Sequence, residues 1–126
     1  MGAKFLKVGE SIDYVNAGAA IAKGAVVVMG HTIGIALEAI AATTGTGPVA
    51  IEGVFSGVPK VSAAVFVVGE KLVFDISAAS GAGEFDDSAA SPATGDITGA
   101  AIAVVAGANL ETTCTIKPTP GNATKT

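Results

Sequence analysis

The sequence predicts an all-β fold: a small β-sandwich or barrel, jelly-roll-like, with room for one short helix and with extended termini. Three observations carry that prediction. Gly and Pro punctuate the 126 residues at roughly eight- to twelve-residue intervals, the spacing of a sandwich or barrel. Between those marks lie short runs rich in β-branched residues, several of which alternate apolar and polar with a period of two. The Ala-rich stretches that compete as helices (residues 17–22, 36–42 and 100–106) are short and bounded by Gly, Asn or Thr. Helices of that length are marginal, although Ala is the best helix former, so one short helix near residues 38–42 fits the pattern.

The expected strands follow in chain order. Residues 5–8 make the first run. In residues 11–15, Ile12 and Tyr14 share one face and Asp13 lies on the other. Residues 25–29 are an unbroken apolar run, suited to a strand buried on both faces. Residues 32–37 come next. Residues 49–55 alternate, with Val49, Ile51, Gly53 and Phe55 opposite Ala50, Glu52 and Val54. Residues 71–76 place Leu72, Phe74 and Ile76 together. Residues 100–105 and 112–117 close the domain, the latter with Cys114 and Ile116 on one face.

The length is that of one domain, residues 1–126, large enough to bury roughly two thirds of the unfolded surface. Three segments fall outside the strands: an N-terminal arm, residues 1–7; a long acidic surface loop, residues 77–96, rich in Ser, Ala, Gly and Asp; and an extended C-terminal tail, residues 118–126. The chain also carries an internal echo. Val8-Gly9-Glu10-Ser11-Ile12-Asp13-Tyr14 returns as Val68-Gly69-Glu70-Lys71-Leu72-Val73-Phe74. Ile33-Gly34-Ile35-Ala36-Leu37 returns as Thr98-Gly99-Ala100-Ala101-Ile102. Two similar β-units facing each other across one core are expected.

Composition narrows the function. Half the residues are hydrophobic, only 5% are aromatic, and 14% are charged, against roughly 25% in an ordinary soluble domain. Either a partner covers much of the surface, or abundant small Ala and Gly merely raise the hydropathy; composition leaves both open. The net charge of −4 and the scattered Lys residues (Lys4, Lys7, Lys23, Lys60, Lys71, Lys117, Lys125) argue against nucleic acid, which needs clustered cations. Apolar runs 39–51 and 97–110 are short and broken, whereas a spanning helix needs about 20 apolar residues, so no membrane partner is expected. No secretory or myristoylation signal is expected from Met1-Gly2-Ala3-Lys4-Phe5-Leu6.

No reactive constellation emerges. Cys114 is the one cysteine, so no internal disulfide forms, and without a cationic or His neighbour in sequence it reads as a small buried hydrophobe. His31, in Gly30-His31-Thr32, has no orienting partner nearby and reads as a turn residue. Glu84, Asp86, Asp87 and Asp96 match no calcium-loop spacing and read as a solvated acidic loop. Gly45-Thr46-Gly47 and Gly81-Ala82-Gly83 lack the continuation of a phosphate loop. No catalytic residue, metal or cofactor is expected.

The order of pieces along the chain resembles one family. Gly9-Glu10-Ser11-Ile12-Asp13-Tyr14-Val15-Asn16-Ala17-Gly18 is followed by Ile21-Ala22-Lys23-Gly24-Ala25-Val26-Val27-Val28 and then Ile33-Gly34-Ile35-Ala36-Leu37. A Gly/Thr turn leads to Val49-Ala50-Ile51-Glu52-Gly53-Val54-Phe55; Pro59-Lys60, Gly69-Glu70-Lys71-Leu72-Val73-Phe74-Asp75 and Ile97-Thr98-Gly99-Ala100-Ala101 complete the set. The pattern is similar to the short phage and prophage proteins described as capsid cement or decoration proteins, and covers essentially the whole chain. The resemblance implies a β-rich structural protein docked on the outside of a tailed-phage head, at junctions between major capsid subunits. It also implies a homodimer or homotrimer made in the bacterial cytoplasm. It brings no catalytic residues.

Two expectations remain alternatives. Lys4, Phe5, Leu6 and Lys7 form either an arm that contacts the capsid or a neighbouring subunit, or part of an ordinary edge strand. The competing function is a small-ligand or carbohydrate-binding β-barrel module, for which the chain offers few inward polar groups or aromatics.

Overall fold

Ten strands build two curled antiparallel sheets that together make a half-barrel or sandwich. The computed structural model describes residues 2–126. The first sheet holds β1 (Ser11–Val15), β2 (Val26–Met29), β3 (Thr32–Ala36) and β4 (Thr46–Ala50) in the order β1-β4-β3-β2. The second holds β5 (Phe55–Pro59), β6 (Lys71–Asp75), β7 (Glu84–Asp86), β8 (Ile97–Ala103) and β9 (Thr113–Pro118) in the order β5-β9-β8-β6-β7. The tenth strand, β10 (Thr124–Lys125), pairs with β8. The only helical segment among the described residues is one 3₁₀ turn, Ala79–Gly81, so the short helix expected near residues 38–42 does not form. Ile40 there bridges Ile21 in β fashion instead.

The two sheets are copies of one unit. Remove β7 and β10, and β5-β9-β8-β6 repeats β1-β4-β3-β2 strand for strand. Register repeats as well: Ala36 pairs with Val49 in the first unit and Ala103 with Ile116 in the second. So do bonds outside the ladders. The Gly24 amide donates to the Ala36 carbonyl at 2.7 Å, and Gly69 to Ala103 at 2.7 Å. Leu37 donates to Pro48 at 3.0 Å, and Val104 to Thr115 at 3.1 Å. The bridge Ile21–Ile40 returns as Phe66–Gly107. A repeat of two β-units is therefore present, but the first echo read from sequence joins strands that are not counterparts. Residues 8–14 lead into and include most of β1, yet residues 68–74 run into β6, which is the counterpart of β2. The second echo joins the right strands, β3 and β8, two residues out of step.

The interior divides into two clusters, a small one within the first unit and a larger one that both units build. Alternation along β2 sends Val27 into a cluster with Ala36, Ile40 and Val49, with Tyr14, Ile21 and Met29 packed against it. Val26 and Val28, on the opposite face, pack against the larger cluster, which includes Ile33, Ile35, Val58, Phe66, Phe74 and Ile116. The residue 25–29 run thus packs on both faces, although only Val27 of it is fully buried, and the units share the larger core while the first keeps a second, smaller one. Gly34 allows this close approach. A Cβ there would lie 2.5 Å from Val49 Cγ1 and 2.7 Å from the Ala50 carbonyl oxygen.

Other expectations change for local reasons. Residues 49–55 are not one strand: β4 ends at Ala50, and Gly53, at φ +117°, turns the chain before β5 begins. Residues 77–96 are not only a surface loop. They contain β7, whose fully buried Phe85 packs its ring 4.9 Å from that of Phe74, and Asp96, which is 4% exposed. The tail is tied to its own domain. Besides the β10 pairing, Thr119 Oγ1 donates to the Gly99 carbonyl at 2.8 Å, and the Thr126 amide donates to the Asp96 carbonyl at 2.9 Å.

Candidate interaction surface

Residues 2–8 form no strand, which corrects the edge-strand alternative for residues 5–8. Met1 lies outside the described residues. Among the described residues, none from 2 to 9 makes a backbone hydrogen bond. Phe5 is 83% and Leu6 90% exposed, with Lys4 and Lys7 exposed beside them. Among the described residues, the arm's one ionic tie is Lys7 Nζ to Asp13 Oδ2 at 3.5 Å, between exposed side chains; such pairs contribute about 0–1 kcal/mol. The segment thus presents two large apolar side chains and two cations that its own fold does not use.

A second apolar surface lies on the other unit. Around the Phe66–Gly107 bridge, Phe66 points into the core while Val65, Val67, Val68, Val105 and Leu110 remain more than half exposed. The sequence reading missed this surface, because Val65-Phe66-Val67-Val68 has the look of a buried strand. The backbone here is held by single bridges and turns instead of a full ladder, so only Phe66 of the four turns inward.

The buried polar residues serve the backbone. Asn16 Nδ2 donates to the carbonyls of Ala19 (2.8 Å) and Ala41 (3.1 Å), and its Oδ1 accepts the Gly18 amide. Lys60, fully buried, donates from Nζ to the carbonyls of Val61 (2.9 Å), Ser62 (3.3 Å) and Glu111 (3.2 Å), 5.4 Å from the Phe66 ring centre. Asp96 accepts the Ile76 and Ala93 amides. These residues are loop pins, which satisfy backbone groups that would otherwise be costly to bury.

The reactive residue types stand apart from one another. His31 is exposed in the two-residue turn between β2 and β3. Cys114 is 7% exposed; burial pushes its thiol up to about 11, against the opposing pull of the Lys60 charge. Asp86 and Asp87 accept backbone amides of their own turn, and among the described residues no three His, Cys, Asp or Glu side chains converge on a metal site. Two cavities, of about 200 and 220 Å³, fall below the roughly 300–1,000 Å³ of small-molecule pockets. No helix is long and apolar enough to cross a membrane among the described residues. The arm and the valine ribbon carry most of the exposed large apolar side chains, with Val15 and Val54 exposed besides.

The model of a family described as phage cement protein matches residues 6–118. No curated protein matches, and no solved structure does.

Proposed function

Because this chain belongs to the phage cement protein family, we propose that it binds the outer surface of a tailed-phage capsid and stabilises the contacts between major capsid subunits. It does so as a small homo-oligomer, a dimer or trimer. The observation that carries this reading is the family match over nearly the whole chain; the family is a structural one, associated with the phage capsid. A β-fold that keeps its polar groups for its own loops, and presents apolar side chains outward, supports the same reading.

The arm supplies the contact. Lys4, Phe5, Leu6 and Lys7 reach a capsid subunit as an extended segment, where main-chain hydrogen bonds to an exposed strand edge give affinity and the apolar side chains fill adjoining pockets. The two cations favour an acidic surface and speed encounter with it. Imaging purified virions of the source phage, with and without this protein, tests the location. Density on the outside of the head that disappears with the protein is the expected result; density inside the head, or none, refutes it.

A further inference from the structure

The duplication provides an internal comparison. Two units share strand order, register and loop bonds, so each exposed position of one has a counterpart in the other on the same backbone. Anchored at the Ile21–Ile40 and Phe66–Gly107 bridges, Val65, Val67 and Val68 correspond to Ala20, Ala22 and Lys23. From the Ala36 and Ala103 pairings, Val105 corresponds to Glu38. Leu110 corresponds to Thr43, since each donates its amide to the opposite loop, to Ser62 and Gly18 respectively. The first unit fills these exposed positions with small, charged or polar residues. The fold therefore does not require the aliphatic set that the second unit carries.

Leu110 sharpens the point. It is 78% exposed and sits at φ +77°, a left-handed conformation that favours Gly or Asn over Leu. It gains little packing there and accepts backbone strain. Its counterpart Thr43 takes the same left-handed conformation, at φ +50°, so the turn sets the backbone, and what distinguishes the second unit is the large aliphatic side chain it places there in solvent.

We propose that the ribbon face of Val65, Val67, Val68, Val105 and Leu110 packs against a second copy of this chain. Its chemistry favours a copy of itself. The neighbouring carboxylates are turned back on their own backbone: Glu70 accepts the Val67 and Ser88 amides, and Glu111 accepts the Ala108 amide. What remains is mainly aliphatic, with the exposed Asn109 side chain beside Leu110 at its edge. From the fractional exposures, the five residues expose on the order of 500 Å², within the roughly 300–600 Å² of the largest patch on a typical monomer. Two such faces, wholly covered, bury about 1,000 Å², the low end of the interface range. The inference rests on the homo-oligomer in the proposed function and assigns its face.

Sedimentation velocity of the isolated chain at micromolar concentration tests it without any capsid. The native chain should sediment as a closed oligomer and Val67→Glu as a monomer. Ala22→Glu, the same backbone position in the first unit, should remain oligomeric. Leu110→Asn should weaken association at least tenfold with a melting temperature equal to or above the native one, because Asn suits the left-handed backbone; loss of association in that variant cannot be unfolding. A monomeric native chain overturns both the face and the oligomer. An oligomeric native chain whose Val67→Glu variant stays oligomeric overturns the face alone, as does dissociation by Ala22→Glu.

Discussion

Asn16 and Lys60 occupy the same position in the two units. Each directly follows the edge strand of its sheet, and each donates its amide across to the opposite loop: Asn16 to Gly45 at 2.8 Å, Lys60 to Thr112 at 2.9 Å. Each is buried and spends its side chain on loop carbonyls, the first with a neutral amide and the second with an ammonium. Duplication has kept the role while changing the chemistry.

Lys60→Met keeps the aliphatic stem and removes the ammonium. Three carbonyls lose their shared donor, a change that should lower stability by about 1–3 kcal/mol. Urea unfolding measures it. A variant as stable as the native chain would show that the carbonyls find water instead and that Lys60 is not a pin.

Gly34→Ala should cost about 1–3 kcal/mol by overpacking. The added methyl meets the Ala50 carbonyl oxygen, which is backbone, as well as the Val49 side chain. Thermal unfolding checks this; an unchanged melting temperature would mean that β3 and β4 can separate without loss.

Cys114 predicts a pH dependence. Its folded pKa, about 11, lies above the ordinary 9.0, so the folded state holds the proton more tightly than the unfolded one. The resulting stability is fully present below pH 9 and is lost as the pH rises from 9 towards 11. Cys114→Ala should lack this decline. Parallel pH-stability curves for the two proteins would contradict the assignment.

The two ends should behave differently. A chain without residues 119–126 loses the β10 pairing and the ties to Gly99 and Asp96, and should melt at least about 4 °C lower, the shift expected for 1 kcal/mol in a domain near this size. A chain without residues 2–7 loses only an exposed ion pair and should melt as the native chain does, yet bind heads much more weakly. Unfolding on arm deletion, or intact head binding, argues against the arm as the contact.

Much of this architecture is legible in the sequence where side-chain alternation governs. β2, β3, β6, β8 and β9 each overlap an expected run, because each buries one or both faces; β1 overlaps one as well, although only Ser11 and Tyr14 in it are even partly covered. β5 escaped, since Gly57 at φ +74° and a register shift between Phe55 and Val58 break its alternation. β7 has a single core side chain, Phe85, too little for a periodic signal. β10 holds by backbone bonds, which leave no trace in residue types. Lys60 reads as one more surface cation, for nothing local announces the Glu111 carbonyl that it reaches across the sheet. The arm's residues were legible because they are apolar and cationic ahead of the first Gly turn. The valine ribbon was not, because exposure there is set by the three-dimensional bridge and emerges only when the two units are compared position by position.

A protein that binds the assembled shell but not its separated subunits stabilises assembly by mass action, and the proposed cementing role stands or falls on that effect. Heads with and without the protein are heated in steps, and DNA release is followed by nuclease sensitivity. Decorated heads should retain their DNA to a higher temperature, and adding purified protein back to bare heads should restore the difference. Identical release curves for decorated and bare heads would contradict a cementing role.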